Sequence, residues 1–167
     1  MAIVDALLPE FDHEIAATRR LLDRLPDDRL GWQPHPKSMT LAALSEHIGQ
    51  LGVWGQLPLE QPAVDLETMT RPPDYQPLAS KAALLAHFDT RMAAARAALA
   101  GRTDAELMAP WTLRRGAREF FTMPKASCWR TFVMNHLIHH RGQLTVYLRE
   151  LDVPLPSIYG PSADEAM

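Results

Sequence analysis

The chain has 167 residues, of which 47% are hydrophobic and 22% are charged, as expected for one globular domain over residues 1–167. Its formal net charge of -3 leaves no excess of cations for a phosphate backbone or an anionic membrane surface, so nucleic acid is not an expected partner. Cys128 is the single cysteine, which excludes an internal disulfide. The N-terminal residues do not resemble a signal peptide, and no apolar run reaches the ~18 residues of a membrane helix. We therefore expect a soluble, cytoplasmic protein that makes no use of a membrane.

Apolar residues recur at helical spacing in four stretches, which predict helices over residues 3–25, 41–57, 78–99 and 125–151. Pro9 conflicts with an uninterrupted first helix, so that helix either starts near Leu8 or kinks at Pro9. Thr40 is the predicted N-cap of the second helix, and Gly101 is predicted to end the third. Prolines break the helical pattern after residue 151, so the C-terminal tail is expected to be irregular.

Two of the connections between these helices are long. Residues 58–77 contain five prolines, which predict an irregular crossover that lines a site or an interface. Between Pro110 and Thr122, β-forming residues flank a possible turn at Arg115 and Gly116, and they indicate a short hairpin or an extended excursion. The expected fold class is therefore all-α, a four-helix bundle with long crossover connections and a possible short β-hairpin before the last helix.

Three histidines stand out on the predicted helices. His136 and His140 lie about 40° apart on a helical projection, inside the apolar stripe of the last helix, whereas His139 lies at its polar edge. His47 lies on the apolar face of the second helix. Two histidines one turn apart can bind one cation, and a third from a facing helix still leaves at least one coordination position open. An open position is typical of catalytic metal sites and not of structural ones.

The alternative is that each histidine is a neutral core residue that donates to a backbone carbonyl. That role is the more common one for a single histidine on an apolar face. Three core histidines would each need a separate partner, whereas one ion satisfies three ring nitrogens at once, so the metal is favoured. The HxxxH spacing is a weak signal by itself. Glu46 precedes His47, but no second histidine follows in the spacing of an HExxH motif.

The segments MTLAALSEHI and NHLIHHRGQLTVYLRELDVPLPSIYGPSADE closely resemble the DinB/YfiT-like (DUF664-type) superfamily of metalloproteins. The resemblance extends through essentially the whole chain. It implies a four-helix bundle with long crossovers, frequently a homodimer, in which His47, His136 and His140 hold one divalent metal ion. It also implies a small-molecule substrate, because characterised relatives include transferases and isomerases that use thiols such as bacillithiol or mycothiol.

These observations favour a metal-dependent enzyme in which the ion lowers the pKa of a low-molecular-weight thiol for S-transfer or isomerisation. The alternatives are a hydrolase that uses metal-bound water and a non-catalytic bundle with a structural metal. Three imidazoles suit zinc, nickel, iron and copper, of which the first three are the expected ions.

Several residues near these motifs allow two interpretations. Asn135, Arg141 and Gln143 flank the histidines and can orient their rings or bind an anion, although Arg141 is equally well explained as a solvated charge. Arg114, Arg115 and Arg118 form a basic cluster that can hold the carboxylates of a thiol cosubstrate, but such clusters are more often simply solvated. Cys128 is expected to be a packed residue and not a reactive thiol. We assign no role to the remaining histidines, which are His13, His35 and His87.

Overall fold

The computed structural model describes residues 1–69 and 76–166. Its elements, in chain order, are α1 (Ile3–Leu22), a short 3₁₀ turn (Asp27–Arg29), α2 (Leu41–Glu60), β1 (Ala63–Asp65), α3 (Lys81–Leu99), α4 (Asp104–Met108), β2 (Pro110–Arg115), β3 (Arg118–Pro124), α5 (Lys125–Trp129), a π-helical segment (Arg130–Asn135) and α6 (His136–Glu150). The protein is mostly helical, as predicted. It also carries a small three-stranded sheet, so the all-α class is corrected to a helical fold with a minor β component.

The first helix starts earlier than one of the two predicted alternatives. α1 begins at Ile3 and contains Pro9, so a start near Leu8 is wrong. Pro9 has no N–H to bond with the carbonyl of Asp5, whereas two N–H groups at the start of the helix have acceptors. The Asp5 carboxylate accepts from the N–H of Ala2 at 2.9 Å, and the N–H of Ile3 donates to Asp104 at 2.7 Å.

The second and third helices follow the predicted signals with small shifts. Thr40 caps α2 as predicted, because its hydroxyl accepts from the N–H of Ala43 at 3.1 Å. The helix then passes through Pro58 and ends three residues later than expected. α3 starts at Lys81 and not at residue 78, since Ser80 is its N-cap. Gly101, which follows the end of α3, has the positive φ of 75° that favours glycine.

The predicted hairpin is present, and a third strand pairs with it. β2 and β3 pair antiparallel around Gly116, whose φ is 55°. β1 pairs parallel with β2, although the sequence of residues 58–77 predicted an irregular crossover without strands. Residues 70–75 of that crossover lie outside the described residues. The carboxylate of Asp65 ties β1 to the hairpin by accepting from the N–H of Gly116 at 3.0 Å.

The last predicted helix is one helical stretch made of three parts. α5 leads into the π-helical segment, and α6 begins directly at His136. π-helical turns inside longer helices are rare and are frequent at functional sites. Here the segment ends where the first of the two neighbouring histidines begins.

The long helices pack around one apolar core. α2 and α3 approach closely because α2 presents glycines to α3. A Cβ on Gly52 would lie 2.5 Å from the carbonyl oxygen of Arg91, and one on Gly55 would lie 2.8 Å from the Cβ of Ala95. A smaller buried cluster joins the sheet to the last helical stretch, and its members are Val64, Trp111, Leu113 and Cys128.

Within residues 1–69 and 76–166, none of the helices is both long and apolar enough to cross a membrane.

The pairing of α2 with α6 positions the histidines. Trp32, which lies before α2, packs edge-on against Tyr147 near the end of α6, with ring centroids 5.7 Å apart. His47, in the first half of α2, meets His136 and His140 in the first half of α6. The two helices therefore run in opposite directions, and the histidines face one another across the groove between them.

Candidate metal centre

The structure brings the three predicted ligands together. One ligand atom from each of His47, His136 and His140 lies within 4.8 Å of the others, and we call this set the three-histidine cluster. The ring centroid of His140 is 4.5 Å from that of His47 and 4.6 Å from that of His136. The Nε2 atoms of His47 and His136 are 3.4 Å apart.

Two ring nitrogens of the cluster have the spacing of ligands to one transition-metal ion, within a set of three atoms that lie up to 4.8 Å apart. With metal–nitrogen bonds of about 2.0–2.1 Å, two ligands of a tetrahedral site are about 3.3–3.4 Å apart, which is the separation of the two Nε2 atoms. The donor set consists of three imidazoles and contains no carboxylate or thiolate. Such a set suits zinc, nickel and iron better than magnesium or calcium, which prefer oxygen ligands.

Two of the three histidines also have an acceptor outside the cluster. Nδ1 of His140 lies 2.7 Å from Oε1 of Gln143, one turn later on α6. The backbone carbonyl of Phe132 raises the pKa of His136, but this effect is the smallest of several, and the larger ones lower the pKa. The backbone N–H of His136 donates to the carbonyl of Val133. An acceptor on the outer nitrogen of a ligating histidine is the usual arrangement in metal sites, because it fixes the ring and its tautomer.

The surroundings of the three rings favour the neutral form of each. Burial lowers the pKa of all three histidines, and neighbouring histidines lower the pKa of His47 and His136 further. The pKa of His136 falls to about 4. The Gln143 hydrogen bond partly opposes this effect in His140. Neutral imidazoles keep a free lone pair at neutral pH, which is the form that binds a metal ion.

Two of the three histidines in the cluster are partly exposed to solvent. His140 is 7% exposed, whereas His47 and His136 are only half-buried. His139 is exposed and lies next to the cluster, with its ring centroid 4.8 Å from that of His140. It does not belong to the set of atoms that converge, in agreement with its place at the polar edge of the helix. A ligand bound on the cluster would thus have an open face toward the side of His47 and His136.

Partly buried aromatic residues follow the groove on both sides of the cluster. Trp32 and Tyr147 lie toward the start of α2. In the other direction Phe132 stacks on Phe121 of β3, with ring centroids 5.0 Å apart and nearly parallel planes. The sheet therefore buttresses the last helical stretch one turn before His136.

One of the two interpretations of Arg141 from the sequence, that of a solvated charge, is wrong. Arg141 is 2% exposed and is not a solvated charge. Its guanidinium contacts the carboxylate of Glu14 on α1 at 2.5 Å, and Glu14 is 4% exposed. Tyr159 of the C-terminal tail donates to both carboxylate oxygens of Glu14 at 2.8 Å and also contacts Arg141. A sequence signal existed, because Glu14 interrupts the apolar stripe of the first helix between Phe11 and Thr18.

The other candidates lie away from the cluster. Cys128 is fully buried, and burial raises the pKa of its thiol to about 12, so it is a packed residue as expected. Arg114 pairs with Asp65 at 3.4 Å, and Arg118 lies over the ring of Phe120 on the hairpin. Among the described residues, no contact connects the predicted basic cluster with the histidines.

Comparison with known proteins indicates the family of this chain. The sequence pattern described as the DinB superfamily matches residues 10–144. A curated relative, the uncharacterized protein YrdA of Bacillus subtilis (strain 168), is 28% identical, and the match covers 97% of this chain and 91% of YrdA.

Two solved structures share the fold. A DinB-like protein from Bacillus cereus ATCC 10987 superposes with a TM-score of 0.72 at 24% identity, covering 93% of this chain and 97% of that one. The DinB-like protein YjoA of Bacillus subtilis superposes with a TM-score of 0.71 at 19% identity, covering 92% and 96% of the two chains.

Proposed function

The chain belongs to the DinB superfamily, and from that premise we propose that its three-histidine cluster holds one divalent metal ion and acts on a low-molecular-weight thiol. The observation that carries the proposal is the convergence of three neutral imidazoles, two of them with their Nε2 atoms 3.4 Å apart. The two Nε2 atoms are also within hydrogen-bond distance, but such a bond satisfies only two of the three rings, whereas one cation satisfies all three.

The ion would be zinc, nickel or iron, held by His47, His136 and His140. When bound, it would supply Lewis-acid chemistry, which makes a nucleophile out of a weakly acidic thiol or water at neutral pH. The protein's own contribution is to keep the three rings neutral and oriented and to leave one face accessible. The half-buried sides of His47 and His136 would admit a small molecule, while the buried His140 anchors the site in the core.

We further interpret the four long helical stretches, α1, α2, α3 and the stretch from α5 to α6, as the four-helix bundle that the family resemblance implies. On this view the ion sits between two antiparallel helices of the bundle. A cytoplasmic location and a homodimeric state are parts of the same proposal, and they rest on the family resemblance and on the composition.

Cobalt substitution tests the thiol part of the proposal. The protein loaded with Co²⁺ should develop a sulfur-to-metal charge-transfer band with at least one of bacillithiol, mycothiol, glutathione and cysteine, because a thiolate is a better ligand than water. The His136→Ala variant is the matched control and should show no such band. A spectrum that all four thiols leave unchanged would contradict thiol activation and would favour a hydrolase that activates water at the same residues.

A further inference from the structure

One side chain outside the cluster is aimed at it. Gln143 follows His140 by one helical turn, a spacing that places the two side chains on the same face of α6. Its Oε1 lies 2.7 Å from Nδ1 of His140, a short and well-formed hydrogen bond. We propose that Gln143 is a positioning residue that fixes the ring of His140 in the tautomer and orientation needed to bind a metal ion, an inference that rests on the proposed metal site.

The direction of this hydrogen bond decides which nitrogen of His140 is available. An amide oxygen only accepts, so the ring must carry its proton on Nδ1, and Nε2 keeps the lone pair that His140 can offer to an ion shared with His47 and His136. The opposite amide orientation would offer an N–H to Nδ1. The proton would then sit on Nε2, point into the cluster and block the third ligand.

The three histidines do not all depend on a side-chain hydrogen bond of this kind. The acceptor that influences the pKa of His136 is the backbone carbonyl of Phe132, which no side-chain substitution removes. The ring of His140 is held by the side chain of an exposed residue. Gln143 is therefore the one position, among the contacts described for these rings, where the orientation of a single ligand can be changed from the surface without opening the core.

The expected size of the effect follows from comparable metal sites. Removing the outer hydrogen-bond partner of a ligating histidine lowers metal affinity about 10–100-fold. Gln143→Met keeps the length of the side chain and removes the acceptor, so it should show this loss. Gln143→Glu keeps an acceptor oxygen in place and should retain the affinity of the wild type. Val146→Met, at a site on the same helix that is 58% exposed, is the control for placing a methionine on the surface of α6.

The first measurement is zinc affinity by competition with a chromogenic chelator in the full chain. We expect the dissociation constant to rise about 10–100-fold in Gln143→Met and to stay unchanged in Gln143→Glu and Val146→Met. An affinity of Gln143→Met equal to that of Val146→Met would overturn the proposal. So would a loss in Gln143→Glu as large as that in Gln143→Met, because the acceptor would then not be the feature that matters.

The second measurement does not depend on bound metal. Nitrogen-15 NMR of the histidine rings in the metal-free full chain at pH 8 reports which ring nitrogen carries the proton. Wild type and Gln143→Glu should show His140 protonated on Nδ1, and Gln143→Met should show a mixture of tautomers. A proton on Nε2 in the wild type would overturn the positioning role. If the wild type kept the Nδ1 proton but bound no zinc, the proposed metal function would fail while the assignment of Gln143 to His140 stood.

Discussion

The buried ion pair between α1 and α6 gives the sharpest prediction about stability. Glu14 and Arg141 are 4% and 2% exposed, so both charges are removed from water and depend on one another. Glu14→Gln preserves the shape of the side chain but leaves the Arg141 guanidinium buried without a counter-charge. Breaking a buried pair from one side typically costs about 3–5 kcal/mol. In a chain of this length such a loss lowers the melting temperature by about 6–20 °C.

A second ion pair on α1 provides a matched control. Asp12 contacts Arg96 of α3 at 2.7 Å, but both side chains are largely exposed, at 40% and 45%. Asp12→Asn removes the same kind of charge from the same helix, and water then solvates the freed arginine. The melting temperature should therefore stay nearly unchanged.

The assay is urea denaturation followed by far-ultraviolet circular dichroism, with a thermal melt as a second probe. A double replacement, Glu14→Met together with Arg141→Met, should recover most of the stability lost in Glu14→Gln, since no buried charge remains. Tyr159 loses both of these partners in that variant, but it is 62% exposed and its hydroxyl can be hydrated. The reasoning is refuted if Glu14→Gln is no more destabilising than Asp12→Asn, or if the double replacement is less stable than Glu14→Gln.

Four further predictions concern the metal, the thiol, the helix packing and the assembly. The purified protein should carry about one ion per chain by elemental analysis, and alanine at any member of the three-histidine cluster should remove it; loss of the ion in His139→Ala with retention in His140→Ala would contradict the ligand assignment. Cys128 should not react with a thiol reagent at pH 8 until the chain is unfolded. Because its folded pKa of about 12 lies above the unfolded value, only the unfolded chain ionises as the pH rises past about 9, so stability should fall there and fall less in Cys128→Ala. Gly52→Ala should lower stability by about 1–3 kcal/mol in a urea titration, since its Cβ would meet the Arg91 carbonyl at 2.5 Å, and an unchanged midpoint would argue against the close α2–α3 approach. Light scattering at micromolar concentration should give the mass of a homodimer, and a monomer would count against that proposal.

Local patterns in the sequence were sufficient for most of the helical architecture. Helical periodicity depends on residues three and four apart, and so the long helices were predicted to within a few residues of their observed ends. The cap at Thr40 and the hairpin turn at Gly116 are also local, since each depends on the chemistry of one or two residues. The inward direction of the three histidines followed from the same periodicity. Their meeting was an inference from helix packing that the geometry now supports.

Tertiary structure alone decided the features that join distant segments. β1 is three residues long and is defined by its pairing with β2, about fifty residues later, so no periodic pattern in the sequence predicted it. Arg141 reads as a charge on a helix surface until Glu14 and the tail residue Tyr159 are brought against it. Which nitrogen of each histidine faces the cluster likewise depends on partners whose direction only the folded backbone sets. A sequence pattern reports the periodicity of one segment, whereas burial and pairing of polar groups depend on which segments the whole chain places together.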